Sequence, residues 1–211
     1  MTVVHPADRR SGAGSAVRQS PLADRAAELA ARSVPGPRGV QLAEEPFLTQ
    51  VNLRVHPGSP AVAGIGRELG VELPTERPNA VHGDETTAVL RLGPDEWLVV
   101  APDGAIGDVV DRLTRGLADS FGSVVDVSAH RTTLDLRGPM ARDVLEKVCS
   151  LDLHPRSFGP GRCAQTLLGR TQAILWQLTE EPRYRLLVRC SFAGYLADLL
   201  LDAMAEYRDG S

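Results

Sequence analysis

Cysteine is scarce in this chain: Cys149, Cys163 and Cys190 form an odd, widely spaced set. Such a set argues against a disulfide framework. Long apolar runs are missing too, and none approaches the roughly 18 to 20 residues that a membrane-spanning helix needs. The opening Met1-Thr2-Val3-Val4-His5-Pro6 lacks the apolar centre of a signal peptide. Together these features give the expectation of a cytoplasmic protein. Excess positive charge is absent as well: 23 basic against 27 acidic residues leave a formal net charge of -4. That balance offers no general attraction for nucleic acid or an anionic membrane. There is no Gly-x-Ser-x-Gly elbow and no Walker-type phosphate loop.

What is present is order repeated. With 211 residues, 43% apolar and 24% charged, the chain is long enough to bury a sizeable core. Gln50-Val51-Asn52-Leu53-Arg54-Val55 leads through a helix to Leu69-Gly70-Val71-Glu72-Leu73-Pro74. Thr133-Leu134-Asp135-Leu136-Arg137-Gly138 leads in the same way to Cys149-Ser150-Leu151-Asp152-Leu153. Paired strand-like segments follow each copy, and each half closes with an amphipathic helix. The expected fold class is therefore α+β: internally duplicated β-α-β-β-α units forming antiparallel sheets packed with helices.

Three regions are expected: a disordered or partner-bound tail over 1–19, a helical arm and linker over 20–45, and the duplicated domain over 46–208. Ser20-Pro21 suits a helix start, Leu22, Ala26, Leu29 and Ala30 mark one face, and Val34-Pro35-Gly36-Pro37 stops it. An arm this short needs something to lie on. In the body, 49–55 reads as a strand and Ser59-Pro60 opens a helix burying Val62, Ile65 and Leu69. Strands over 86–92 and 96–100 form a hairpin around Gly93-Pro94-Asp95. Ile106, Val109, Val110, Leu113 and Leu117 define the next helix. One long strand is expected from Val124 to Arg137, then a helix from Pro139 with Met140, Val144, Leu145 and Val148 inward. Strands near 164–168, 173–178 and 184–189 precede a last helix carrying Phe192, Tyr195, Leu196, Leu199, Leu200, Ala203, Met204 and Tyr207.

The most tempting reactive group is Asp126, Ser128 and His130, which a strand's period of two places on one face. Members of a nucleophilic triad must hydrogen-bond in series, whereas same-face strand neighbours stand about 6.6 Å apart at the backbone. A polar or partner-facing surface is the preferred reading. The histidines His5, His56, His82, His130 and His154 are scattered, with no ligand spacing to one another or to cysteine. Gly64-Ile65-Gly66 lies inside a predicted helix and Gly159-Pro160-Gly161 in a loop, so neither fits a dinucleotide fingerprint. Asp95-Glu96, Glu44-Glu45 and Glu180-Glu181 read as solvated turn carboxylates, and Trp97 and Trp176 as core or interface. No catalytic, cofactor-binding or metal-binding residue is assigned to this chain.

Several segments in fixed order carry a family resemblance: Ser20-Pro21-Leu22, Glu45-Pro46-Phe47-Leu48-Thr49-Gln50-Val51-Asn52-Leu53-Arg54, Leu92-Gly93-Pro94-Asp95-Glu96-Trp97-Leu98, Asp126-Val127-Ser128 with Arg131-Thr132, and Leu136 to Leu145. Over nearly its whole length the chain resembles the gamma subunit of heterotetrameric sarcosine oxidase. That family is similar in fold to the folate-binding domain of aminomethyltransferases. The resemblance implies a non-catalytic member of an assembly with alpha, beta and delta subunits that oxidises sarcosine to glycine. Hydrogen peroxide and formaldehyde, or methylenetetrahydrofolate when tetrahydrofolate is the co-substrate, are the further products. It also implies that FAD, FMN and NAD belong to the partner subunits. The Lys-Gly-Cys-x-x-Gly-Gln motif of the folate-dependent iron–sulfur repair relatives is absent, and Ser157-Phe158-Gly159-Pro160-Gly161-Arg162-Cys163 stands in its place. Two other readings stay open at this stage: a stand-alone tetrahydrofolate-binding module, and a hydrolase using Ser128 and His130.

Overall fold

A computed structural model describes residues 18–208, so all but the last two residues of the expected tail lie outside the described residues. A 3-10 turn (Ala23–Arg25) runs into helix α1 (Ala26–Arg32). Leu22 and Leu29 are buried, but Ala26 and Ala30 are exposed, so the expected face is narrower than its four positions. A helix of two turns rests on its support through one i, i+7 stripe. Ser33 closes it: its hydroxyl donates to the Leu29 carbonyl (2.9 Å) and accepts from the Leu42 amide (3.0 Å). This bond ties the arm to strand β1 (Gln41–Glu45), which occupies ground expected to be linker. Five residues of alternating character show no strong signal until a pairing partner is known.

The remaining elements follow as β2 (Thr49–Val55), α2 (Ala61–Leu69), β3 (Val81–Gly83), β4 (Ala88–Gly93), β5 (Glu96–Ala101), α3 (Ile106–Leu117) and β6 (Gly122–Asp126). Then come β7 (Arg131–Arg137), α4 (Ala141–Glu146), β8 (Arg162–Leu168), β9 (Thr171–Thr179), β10 (Arg183–Arg189), α5 (Ala193–Ala203) and α6 (Ala205–Arg208). They build two five-stranded antiparallel sheets, ordered β3-β4-β5-β2-β6 and β8-β9-β10-β7-β1. The edge strands cross over. β1 precedes β2 in the chain yet pairs with β7, and β6 precedes β7 yet pairs with β2.

The expected continuous strand from Val124 to Arg137 is therefore two strands in two different sheets. Asp126 caps the break by accepting the Ser128 amide (2.9 Å), and the His130 amide reaches the Val127 carbonyl (2.9 Å) to close a tight turn. Short polar side chains that bond their own backbone divert a chain from an extended ladder. The final helix also differs. It breaks at Met204, and of its expected face Phe192 and Tyr195 are exposed while Leu196, Leu200, Met204 and Tyr207 are buried.

Three apolar cores stack these parts into helix, sheet, sheet, helix. One core joins α1, α4 and α5 to one sheet, and a second joins α2 and α3 to the other. The third lies between the sheets, where Val81, Leu90, Leu98 and Val100 meet Ile174, Trp176 and Leu187. Register follows from alternation. In β7, Leu134 and Leu136 face the helices, and Thr133 and Asp135 face the other way. A slip of one residue would put Asp135 into the helix-side core and lose about 1.5–3 kcal/mol of burial for each displaced leucine.

Candidate functional site

The turn between β6 and β7 brings the three residues of the tempting triad close in sequence but gives them separate tasks. Ser128 Oγ accepts from the Gln50 amide (3.0 Å) and lies 3.4 Å from the Gln50 carbonyl, clamping the turn onto the start of β2. Asp126 binds the Ser128 amide, and no bond links Ser128 Oγ to the His130 ring among the described residues. His130 is exposed, with its pKa held below the ordinary value by partial burial and by the charges of Arg131 and Arg189. The expected one-face arrangement is not formed, because only Asp126 belongs to a strand. A hydrolytic relay requires bonds in series, and this geometry supplies none.

Other singled-out groups settle into structural roles. Trp97 is fully buried under the helices and donates its indole N–H to the Pro74 carbonyl (2.9 Å). Gly64 and Gly66 lie in α2, where Gly64 meets α3 rather than a phosphate. His56, His82, His130 and His154 are exposed, and His5 lies outside the described residues. Among the described residues, no three of His, Cys, Asp and Glu are grouped to hold a metal ion. Asp95 pairs with Arg54 (2.9 Å), while Glu96 pairs with Arg54 (3.2 Å) and accepts from Asn52 (2.8 Å).

Glu44 and Glu45 are the instructive exceptions, since they lie in β1 rather than in a solvated turn. Glu44 accepts hydroxyls from Ser20 and Thr132, both at 2.6 Å. Glu45 belongs to a partly buried charge network that sequence reasoning missed. Arg185 binds Glu45 (2.6 Å) and lies 3.5 Å from Glu85. Arg183 binds Asp135 and Glu85, both at 2.7 Å, and reaches Glu45 at 3.4 Å. The Arg185 guanidinium stands over the Trp176 ring, 5.1 Å from its centroid. Arg185 and Asp135 are only 4% and 3% exposed, whereas Glu85 is exposed, so the network runs from the layer between the sheets out to the surface. Burial holds the Asp135 carboxyl above its ordinary value despite the Arg183 bond. The network's members come from residues 45, 85, 135, 183 and 185. Only the Arg-x-Arg spacing in β10 hinted that one strand face carries charge inward.

Two clefts mark the surface. One, of ≈ 220 Å³, is lined by Arg131 and Arg189 together with Gln165, Leu167, Gln172 and Ile174. The other, of ≈ 270 Å³, is lined by Pro78, Asn79, Arg91, Leu92, Gly93 and Pro94. Pockets that enclose a drug-sized ligand measure about 300–1,000 Å³. Both clefts measure less than that.

The molecule is thus a two-sheet α+β sandwich whose polar groups tie its own layers together. Its relatives fit that description. Residues 54–206 match the model of the sarcosine oxidase, gamma subunit family. The chain is 41% identical to sarcosine oxidase subunit gamma of Corynebacterium sp. strain U-96 over 191 residues, 90% of this chain and 92% of that one. It is 39% identical to the same subunit of an Arthrobacter species over 193 residues, covering 92% and 93%. A chain of the heterotetrameric sarcosine oxidase of Corynebacterium sp. U-96, solved in complex with pyrrole 2-carboxylate, superposes with a TM-score of 0.85 and 42% identity. That match covers 92% of this chain and 98% of the other. Aminomethyltransferase T of the glycine cleavage system from Bartonella henselae shares the fold at TM-score 0.60 and 14% identity, over 88% of this chain and 57% of that one. The chain belongs to the sarcosine oxidase gamma subunit family.

Proposed function

We propose that this chain is a non-catalytic structural subunit that docks on the alpha, beta and delta subunits of a sarcosine oxidase. The observation that carries the reading is the free edge strand β6. Phe121, just before it, is 96% exposed, and Val125 within it is also exposed, beside backbone that no further strand pairs among the described residues. Unpaired edges flanked by large apolar side chains favour association. In the assembly, FAD, FMN and NAD sit in the partner subunits, and tetrahydrofolate is the co-substrate. The products are glycine with hydrogen peroxide and formaldehyde, or methylenetetrahydrofolate. The names of the relatives support this reading, as does the absorption of Ser128 and Asp126 into a turn.

The same reading takes the body as an internally duplicated unit, with residues 46–208 holding both copies and 20–45 lending helix α1 and strand β1 to the second. The matching orders β3-β4-β5-β2-β6 and β8-β9-β10-β7-β1 support it. Cytoplasmic residence completes the proposal. Stable interfaces bury about 1,600 Å² in total, so an assembly co-expressed with the neighbouring subunits should survive gel filtration. A tagged chain that elutes alone from such a preparation, stays soluble and monomeric, and itself oxidises sarcosine would defeat the proposal.

A further inference from the structure

One row of residues crosses the sheet β8-β9-β10-β7 on the face turned away from the helices. Arg131 of β7 is the register partner of Arg189 of β10, and Val188 pairs with Ala173, which places Gln172 next in line. Leu167 of β8 is the register partner of Gln172. These four line the ≈ 220 Å³ cleft. Two arginines directly opposite on one sheet face repel each other. Arg131 is half-buried, and burial, then Arg189, push its pKa below the ordinary value, against the opposing charge of Glu96, which forms no ion pair with it.

The same sheet shows what neutralisation looks like. Four residues along the same strands, Arg185 and Asp135 stand in register, and three carboxylates (Glu45, Glu85 and Asp135) serve Arg183 and Arg185. Arg131 and Arg189 have no carboxylate within ion-pair distance and no side-chain hydrogen bond among the described residues. A guanidinium fork matches a carboxylate with two parallel bonds, and two forks on one cleft can share one oxyanion. Leu167, 52% exposed, adds an apolar wall.

We propose that Arg131 and Arg189, with Gln172 beside them, form a carboxylate-binding site in this cleft. The carboxylate belongs either to a small organic acid or to an acidic side chain of a neighbouring subunit. The chemistry is the same in both cases, and the two sources separate by experiment.

The first arm uses the full chain alone and does not depend on assembly. Acetate and succinate are titrated at low salt while the His130 ring protons are followed by NMR. Saturable binding that raises the His130 pKa identifies a free acid as ligand. Arg131→Met with Arg189→Met is then expected to weaken it by about tenfold or more, and the double lysine variant to retain part of it. The second arm co-expresses the chain with its neighbouring subunits. No response to free acids, combined with a loss of about tenfold or more in subunit affinity for the double Met variant and a shallower salt dependence, places the carboxylate on a partner. Arg189→Met alone, at an exposed strand end, repeats both arms if the double variant fails to fold. The proposal is overturned if neither acid binding nor subunit affinity responds to these substitutions.

Discussion

Gly64 of α2 and Gly116 of α3 meet backbone to backbone. A β-carbon on Gly64 would stand 2.7 Å from the Gly116 carbonyl oxygen, and one on Gly116 would stand 2.5 Å from the Ile65 α-carbon. The two helices cross at this point with no side chain between them, over the core of Val51, Leu53, Trp97 and Val99. Gly64→Ala or Gly116→Ala should therefore destabilise the chain by about 1–3 kcal/mol, since an inserted methyl must part the helices. Alanine would instead stabilise an open helical position, as it raises helix propensity. Thermal unfolding distinguishes the two: a rise in Tm for either variant would show that the helices have room to spare.

Asp135 gives a pH signature. Burial raises its folded-state pKa above the ordinary 3.8, so the folded state takes up this proton more readily than the unfolded state. Its contribution therefore favours folding below 3.8 and declines as pH rises through the folded pKa. Asp84 and Asp152 act in the opposite sense. Hydrogen bonds from Thr86 and from Ser157 hold them below 3.8, and their contributions vanish on acidification. Asparagine mimics the protonated form, so Asp135→Asn should gain stability relative to the parent as pH rises from 3.8 towards neutrality. Chemical denaturation at several pH values checks this; a relative loss over that window would mean that pairing with Arg183 outweighs burial.

The charge network should lose stability when one arm is removed. Arg185→Met removes one of the two arginines that Glu45 meets and leaves Arg183 as the other, 3.4 Å away. A cost of about 1–3 kcal/mol is expected for the lost charged hydrogen bonds, because Glu45 keeps Arg183 and both carboxylates keep some water. Replacing Glu45, Glu85 and Arg185 together by apolar residues should cost less than that single change. Unfolding free energies of the two variants, compared under one condition, decide the point.

Ser128→Ala should leave assembly and turnover unchanged and cost about 1 kcal/mol through its lost bond to Gln50. A loss of activity beyond the loss of folded protein would restore a chemical role to this hydroxyl.

Thiol reactivity should follow burial. Desolvation pushes the Cys163 pKa up to about 12. Cys190 is only half-buried, and its pKa is raised as well. At pH 8 a disulfide reagent should modify Cys190 first, with Cys163 reacting only as the chain unfolds. Mass spectrometry of timed samples gives the order directly.

Phe121→Asp and Val125→Lys should leave the isolated chain folded while weakening its capture by neighbouring subunits, because both side chains stand on the free edge at β6. Unchanged capture would move the interface elsewhere.

Local signals made much of this fold legible. Gly93-Pro94-Asp95 fixed the β4–β5 hairpin, and the spacing of Ile106, Val109, Leu113 and Leu117 fixed α3. Periodicity could not reveal the break at residues 127–130, because Val124 to Arg137 keeps strand-forming residues on both sides of it. The bond from Asp126 to the Ser128 amide, which diverts the chain, is a local choice that an extended pattern disguises. β1 escaped for a different reason: its identity as a strand rests on pairing with β7. The charge network was least readable. Glu45, Asp135 and Arg185 look like surface residues until tertiary pairing sets them face to face.

The exchanged edge strands have a consequence for how the protein comes into being. Gln41 and its register partner Arg137 are 96 positions apart, so β1 leaves the ribosome long before the strand it must join exists. A chain cut between α3 and β6 would give two fragments, each missing one border of its own sheet and holding that of the other. Completion is therefore staged: the β3-β4-β5-β2-β6 sheet has all its strands once Asp126 is made, β1 waits unpaired until β7 follows, and the second sheet closes only when β10 arrives at Arg183–Arg189.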